Sequence, residues 1–262
     1  MRPKDYLFYL LGIGDDPDAA SSIITQQSLL PIQKGFYEVA LLAATEADAI
    51  QACKAIHDAG KRPNGVLKLR QSRHRFEAIG LDAPWPTRRF HELHWLCGHL
   101  ASPADIERLK GLADIIHVHH LQPVTSLSAP GVRVYQWRKE QDIFDFWHAL
   151  YAARDNPNSF GLDWGSYANW SPQQLMGRYT SAQAKSPLQA LQHLQNHVRL
   201  SELHDAQEAL LVVKYKSTLS LGEYAQVVGT LESLLGCEIT PALDLTEMSE
   251  GCSLKLLAFS RK

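Results

Sequence analysis

Apolar residues recur along this chain in two rhythms, short continuous or period-two runs and longer stretches with a 3.6-residue repeat. Tyr6–Gly12, Phe36–Ala44, Val66–Arg70, Leu93–Gly98, Asp114–His120 and Gly131–Trp137 read as strands. Helical spacing fills several of the gaps. Asp15 and Asp16 before Pro17 cap a stretch from Ala19 to Leu29. Thr45 caps another from Glu46 to Ala59, which aligns Ala49, Ile50, Cys53 and Ile56 or Ala55 and ends at Gly60. Ser102-Pro103 opens a third, to about Ala113, while Arg73–Arg89, carrying Pro84 and Pro86, reads as a loop. Strands alternating with helices predict an α/β fold with a largely parallel sheet covered on both faces.

The pattern changes beyond residue 139. Glu140–Arg154 is one amphipathic helix with Ile143, Phe144, Trp147, Leu150 and Tyr151 on its apolar side, and Asn156-Pro157-Asn158 breaks it. Ser171–Tyr179 and Pro187–Leu200 read as further helices. Then come a strand (Ala206–Tyr215), a helix capped by Ser220, and two strands (Ile239–Leu245 and Ser253–Phe259), a compact α+β unit. Three parts follow: an α/β domain over 1–139, connecting helices and a loop over 140–200, and the α+β domain over 201–262.

Composition adds exclusions. The 262 residues are 45% hydrophobic and 21% charged, as in ordinary globular proteins, and suffice for a sizeable core. A net charge of −2 gives no electrostatic case for nucleic acid. Arg73-His74-Arg75 and Arg88-Arg89 read as solvated loop charge. Cys53, Cys97, Cys237 and Cys252 are scattered with no Cys-x-x-Cys pair, the pattern of reduced thiols. No run approaches the roughly 18–20 apolar residues of a membrane span. Arg2, Lys4 and the run Tyr6–Ile13 lead directly into Asp15, Asp16 and Asp18 rather than a small-residue cleavage site, so a buried first strand and a cytoplasmic protein are expected.

Three sets of residues carry candidate chemistry. The first is histidine: of twelve, His91, His94, His99, His117, His119 and His120 fall in and around two adjacent predicted strands. His94, Cys97, His99, His117 and His119 offer nitrogen and sulfur ligands suited to zinc, in a spacing that matches no standard zinc motif. The alternative is a structural set of hydrogen-bonding side chains. The second is the pair of loops Gly12-Ile13-Gly14-Asp15-Asp16 and Cys97–Ser102, each between a strand and a helix, where Gly12, Gly14, Gly98 and Ser102 are the positions open to a phosphate. The carboxylates of Asp15 and Asp16 oppose an anion there. The third is aromatic: Trp137, Phe144, Phe146, Trp147, Tyr151, Trp164, Tyr167 and Trp170 crowd the middle of the chain, as core between domains or as a surface groove. No Gly-x-Ser-x-Gly elbow supports nucleophilic hydrolysis.

The strand wording Ala209-Leu210-Leu211-Val212-Val213, followed by the helix start Leu219-Ser220-Leu221-Gly222-Glu223, resembles the C-terminal domain of the FtsZ/tubulin family. The long helix leading into Leu162-Asp163-Trp164 is similar to that family's central helix and catalytic loop, and the likeness spans roughly Ile143 to Phe259. It implies a reduced Rossmann-like nucleotide-type domain joined to a two-layer α+β C-terminal domain. In the family that loop reads about Asn-Leu-Asp-Phe-Ala-Asp and enters the next subunit's nucleotide site. Here Asp163 is retained, Gly161 stands for the Asn and Ser166 for the second acid, a far weaker base. The family's phosphate loop, Gly-Gly-Gly-Thr-Gly-Thr-Gly, has no counterpart in this chain.

The resemblance implies a pseudo-GTPase without GTP, magnesium or other cofactor. It would act through protein contacts with itself or with an FtsZ/tubulin-like filament in bacterial cell division, with Asp163, Trp164 and Tyr167 at the interface. Two alternatives remain: an enzyme or sensor with an altered, zinc-assisted ligand site, and an active GTP-dependent polymerising GTPase with unusual loops.

Overall fold

The computed structural model describes residues 37–58, 74–97, 102–122, 132–155, 176–196, 203, 205–215, 219–244 and 251–260. The expected strands at 6–12 and 66–70 and the helix at 19–29 lie outside the described residues. Among those described, nine strands form a single sheet: β1 (Tyr37–Ala43), β2 (His74–Gly80), β3 (Phe90–Cys97), β4 (Ala113–His120), β5 (Val132–Gln136), β6 (Met176–Ala184), β7 (Ala206–Tyr215), β8 (Ile239–Asp244) and β9 (Cys252–Ser260). Five helices accompany them: α1 (Glu46–Asp58), α2 (Pro103–Lys110), α3 (Glu140–Asp155), α4 (Pro187–Asn196) and α5 (Leu221–Leu235).

The strand order is β2-β1-β3-β4-β5-β6-β9-β7-β8. The first six are parallel to their neighbours. Strand β9 runs antiparallel between β6 and β7, and β7 and β8 are again parallel.

Strand alternation sorts the core into two faces. One face gathers Val39 and Leu41, Tyr135, Tyr179, Leu210 and Val212, and Leu257 and Phe259, with Ala52 and Ile56 of α1 and Phe146, Trp147 and Leu150 of α3 packed on them. The other face carries Leu93, Trp95 and Val118 under Ile106 and Leu109 of α2. Farther along, that second face carries Leu211, Leu254 and Leu256 under Leu194 of α4 and Val227 and Leu231 of α5. Helix α3 therefore spans the parallel strands and the C-terminal ones, as its contacts with α1, β7 and β8 show. Five of the mid-chain aromatics, Trp137, Phe144, Phe146, Trp147 and Tyr151, are core.

The C-terminal unit follows its sequence signals closely. The Ser220 hydroxyl accepts from the Glu223 amide at 3.1 Å, and the Glu223 carboxylate accepts from the Ser220 amide at 3.2 Å, a reciprocal cap at the start of α5. Gly236 closes the helix in the left-handed region at φ 71°.

Three expectations need correction. Residues 74–80, read within a loop, form the parallel strand β2; Arg88 pairs with both Glu38 and Glu77, so charge on this outer strand is neutralised along the edge. Residues 176–179, read as part of a helix, begin strand β6. Gly177 is a poor helix residue, and its missing side chain is what fits: a Cβ there would come within 2.7 Å of Tyr135 and 2.8 Å of Phe259. Helix α2 stops at Lys110, and Ala113 already belongs to β4. Arg88 and Arg89, read as solvated charge, are both exposed, and Arg89 pairs with Asp114 at 2.9 Å on the surface.

Candidate functional site

Parallel strands β1 and β3–β5 all end on one edge, and β2 and β3, the next two strands in the chain, flank β1 on opposite sides. Ligands of open α/β sheets bind at such a switch point, against helix N-termini. Three helix N-termini are described there, those of α1, α2 and α3, and those of α1 and α2 each meet a carboxylate of the chain itself. At α1 the Glu46 amide donates to Asp82 Oδ1 at 3.2 Å, and the Asp48 amide donates to Thr45 Oγ1 at 3.2 Å. Gly80 makes room for this lock, because a Cβ would collide with both Asp82 Oδ1 and the Glu46 amide. At α2 the Ser102 hydroxyl donates to Asp105 Oδ2 at 2.6 Å and accepts from the Asp105 amide at 3.2 Å, while the Ser102 amide donates to the same carboxylate at 3.0 Å.

Ser102, the one expected phosphate position among the described residues, is thus a helix cap. Gly12, Gly14, Gly98, Asp163, Trp164 and Tyr167 lie outside the described residues.

A second constellation sits inside the protein, between strands β3–β5 and helix α3. The register aligns His94 with His117 and His117 with Arg133, and two residues farther Leu96 with His119 and His119 with Tyr135. Glu92, His94 and His117 are wholly buried, and His119 is 1% exposed. Glu92 Oε1 lies 2.6 Å from His117 Nε2 and 3.3 Å from His94 Nε2. His94 Nδ1 is 3.0 Å from His119 Nε2, and His94 Nε2 is 2.5 Å from the Tyr151 hydroxyl on α3. Tyr135 Oη meets His117 Nδ1 at 2.7 Å, and Trp137 Nε1 donates to His119 Nδ1 at 3.0 Å. The Trp147 ring lies over the group, 4.5 Å from His94 and 4.6 Å from His117 between centroids.

Burial sets the electrostatics. It is the main force lowering His117, to about 3, with the adjacent His94 acting in the same direction. Burial, then His94 and His117, hold His119 well below its ordinary value. Burial raises the Glu92 carboxyl, but the hydrogen bonds it accepts from His117 and His94 act the other way and hold Glu92 well below its ordinary value. The pair is a neutral His117 donating to an ionised Glu92.

The structure brings together His94, His117 and His119 of the expected metal set and adds Glu92. Cys97 lies on the opposite face, among Trp95 and Val118, and His99 is outside the described residues. Glu92, His94 and His117 present ligand atoms within 4.8 Å of one another. A tetrahedral ion with bonds near 2.0–2.1 Å holds its ligands roughly 3.3 Å apart, so the 2.6 Å between Glu92 and His117 is a hydrogen bond that an ion would have to open.

The sheet, with parallel strands joined through α3 to an antiparallel-edged C-terminal unit, is the fold of the FtsZ/tubulin class. The empty FtsZ dimer of M. jannaschii aligns with 94% of this chain and 92% of its own at 11% identity and TM-score 0.51. A point mutant of that FtsZ aligns with 94% of this chain and 95% of its own at 11% identity and TM-score 0.46. The GTPγS-bound protofilament of CetZ2 from Haloferax volcanii aligns with 92% of this chain and 70% of its own at 12% identity and TM-score 0.41. The first of these carries the statement of fold, and at 11% identity it carries fold alone. By sequence the chain matches no family model and no curated protein. Among the described residues no helix is long and apolar enough to cross a membrane.

Proposed function

We propose that this protein is a non-hydrolysing member of the tubulin-like fold class, a pseudo-GTPase of the cytoplasm. It works by assembling with itself or with an FtsZ/tubulin-like filament, in bacterial cytoskeletal or division machinery. The observation that carries this reading is the pair of self-capped helices. A phosphate needs free N–H groups at a helix N-terminus, and here Asp82 already takes the Glu46 amide of α1 and Asp105 the Ser102 amide at the cap of α2. A triphosphate approaching either end would meet a carboxylate at short range, an unfavourable contact without an intervening cation. The dimer of the M. jannaschii FtsZ is the form of assembly that the reading extends to this chain. The loop around Asp163, Trp164 and Tyr167 is assigned to the interface.

Sedimentation velocity over a concentration series, without nucleotide and with added FtsZ filaments, tests the proposal. Association that needs no GTP, and that weakens in the Asp163→Ala/Trp164→Ala double variant, is the expected result. A protein that stays monomeric and leaves filaments unbound at every concentration overturns it.

A further inference from the structure

The buried histidine cluster has two ends of fixed chemistry, and together they determine every proton in between. Trp137 Nε1–H is a donor only, so His119 Nδ1, 3.0 Å away, must be an acceptor. Neutral His119 then carries its proton on Nε2 and donates it to His94 Nδ1 at 3.0 Å. That leaves the His94 proton on Nε2, directed at the Tyr151 hydroxyl at 2.5 Å and at Glu92 Oε1 at 3.3 Å. The other end is the carboxylate, which when ionised accepts only. His117 Nε2, 2.6 Å from Glu92 Oε1, is therefore the donor, and His117 Nδ1 accepts from Tyr135 Oη at 2.7 Å.

We propose that the cluster is a directed hydrogen-bond relay, with one branch running Trp137 to His119 to His94 and the other Tyr135 to His117, both converging on Glu92. Through Tyr151 it fastens α3 to the sheet. The two nitrogens that would ligate a metal, Nε2 of His94 and Nε2 of His117, both carry protons rather than lone pairs. A metal at His94 Nε2 would move that proton to Nδ1 and the His119 proton to Nδ1 as well, setting it against the Trp137 N–H with no acceptor between them. The arrangement that most resembles a zinc site is thus closed to zinc by a tryptophan two contacts away.

Long-range 1H–15N correlation spectra of the histidine side chains read the tautomers directly. Three histidines protonated at Nε2 and bare at Nδ1 are expected, unchanged by one equivalent of Zn2+. A proton on Nδ1 of His94 or His119 overturns the relay, as does joint loss of the His94 and His117 Nε2–H signals on adding zinc. In Trp137→Phe the constraint on one branch disappears: His119 and His94 are expected to populate both tautomers, while His117 keeps Nε2–H. If that variant folds and His119 keeps a single Nε2–H tautomer, Trp137 does not set the direction. If it does not fold, the wild-type spectra alone decide.

Discussion

Two regions of the sheet are built around opposite kinds of core. Under α4 and α5, strands β6, β7 and β9 bury Leu211, Val213, Leu254, Leu256 and Ala258 against Val227, Val228 and Leu231, an aliphatic interior. Under α3, strands β3–β5 bury Glu92, His94, His117, His119 and Arg133 among Trp137, Trp147 and Tyr135. Among the described residues, every buried acid, arginine and histidine lies on those three strands. The aliphatic core draws its stability from area removed from water. The polar one must offset desolvation with a nearly complete set of hydrogen bonds, so it is the more fragile to single deletions and the more specific in geometry.

Removing the relay's acceptor should mark the contrast most strongly. Glu92→Ala leaves the His117 and His94 N–H groups without their carboxylate in the core, and a loss of about 1–3 kcal/mol for each unmet donor is expected in urea unfolding. A loss below about 1 kcal/mol would show that the carboxylate is dispensable there. On the aliphatic side, Leu231→Ala empties a fully buried position and should cost about 3 kcal/mol, without altering histidine chemistry.

Acidity should separate the two cores without mutation. Burial keeps His117 and His119 neutral in the fold, so below about pH 6.5 the unfolded chain binds protons that the folded chain refuses. Their contribution is complete above that pH and is lost as pH falls, toward about 3 in the case of His117, with a slope near 1.4 kcal/mol per pH unit for each histidine. Glu92, held ionised, adds a loss of the same sign below about pH 4.3. Urea unfolding from pH 7 to 4 should show stability falling steadily, and a flat profile would contradict the neutral, buried assignment.

The aliphatic end was the more legible in sequence, and the reason is physical. Its signals are local: an unbroken run at Ala209–Val213, the Ser220 to Glu223 cap, Gly236 as terminator. Strand β2 escaped because the charge of its Glu77 is met by Arg88, eleven positions later and beyond Pro84 and Pro86. Strand β6 escaped because Gly177 is explained only by two rings from other strands.

The relay was half legible. His117 and His119 share a strand face by spacing, but Cys97 was grouped with His94 although three residues along a strand place them on opposite faces. The same parity puts Glu92 on the face of His94, a signal present in the sequence. The self-capping of α2 by Asp105 was also readable as Ser102-x-x-Asp105. The capture of the Glu46 amide by Asp82 was not, since thirty-six positions separate the two residues.

Under the proposed reading, the carboxylates of Asp82 and Asp105 stand at the N-termini of α1 and α2, where a phosphate would need free N–H groups. Isothermal titration of the purified protein with GTP and magnesium tests it most directly. No saturable heat up to millimolar GTP is the expected result. Saturable micromolar binding would contradict it, showing that phosphate donors exist despite Asp82 and Asp105 and bringing the active GTPase reading to the front.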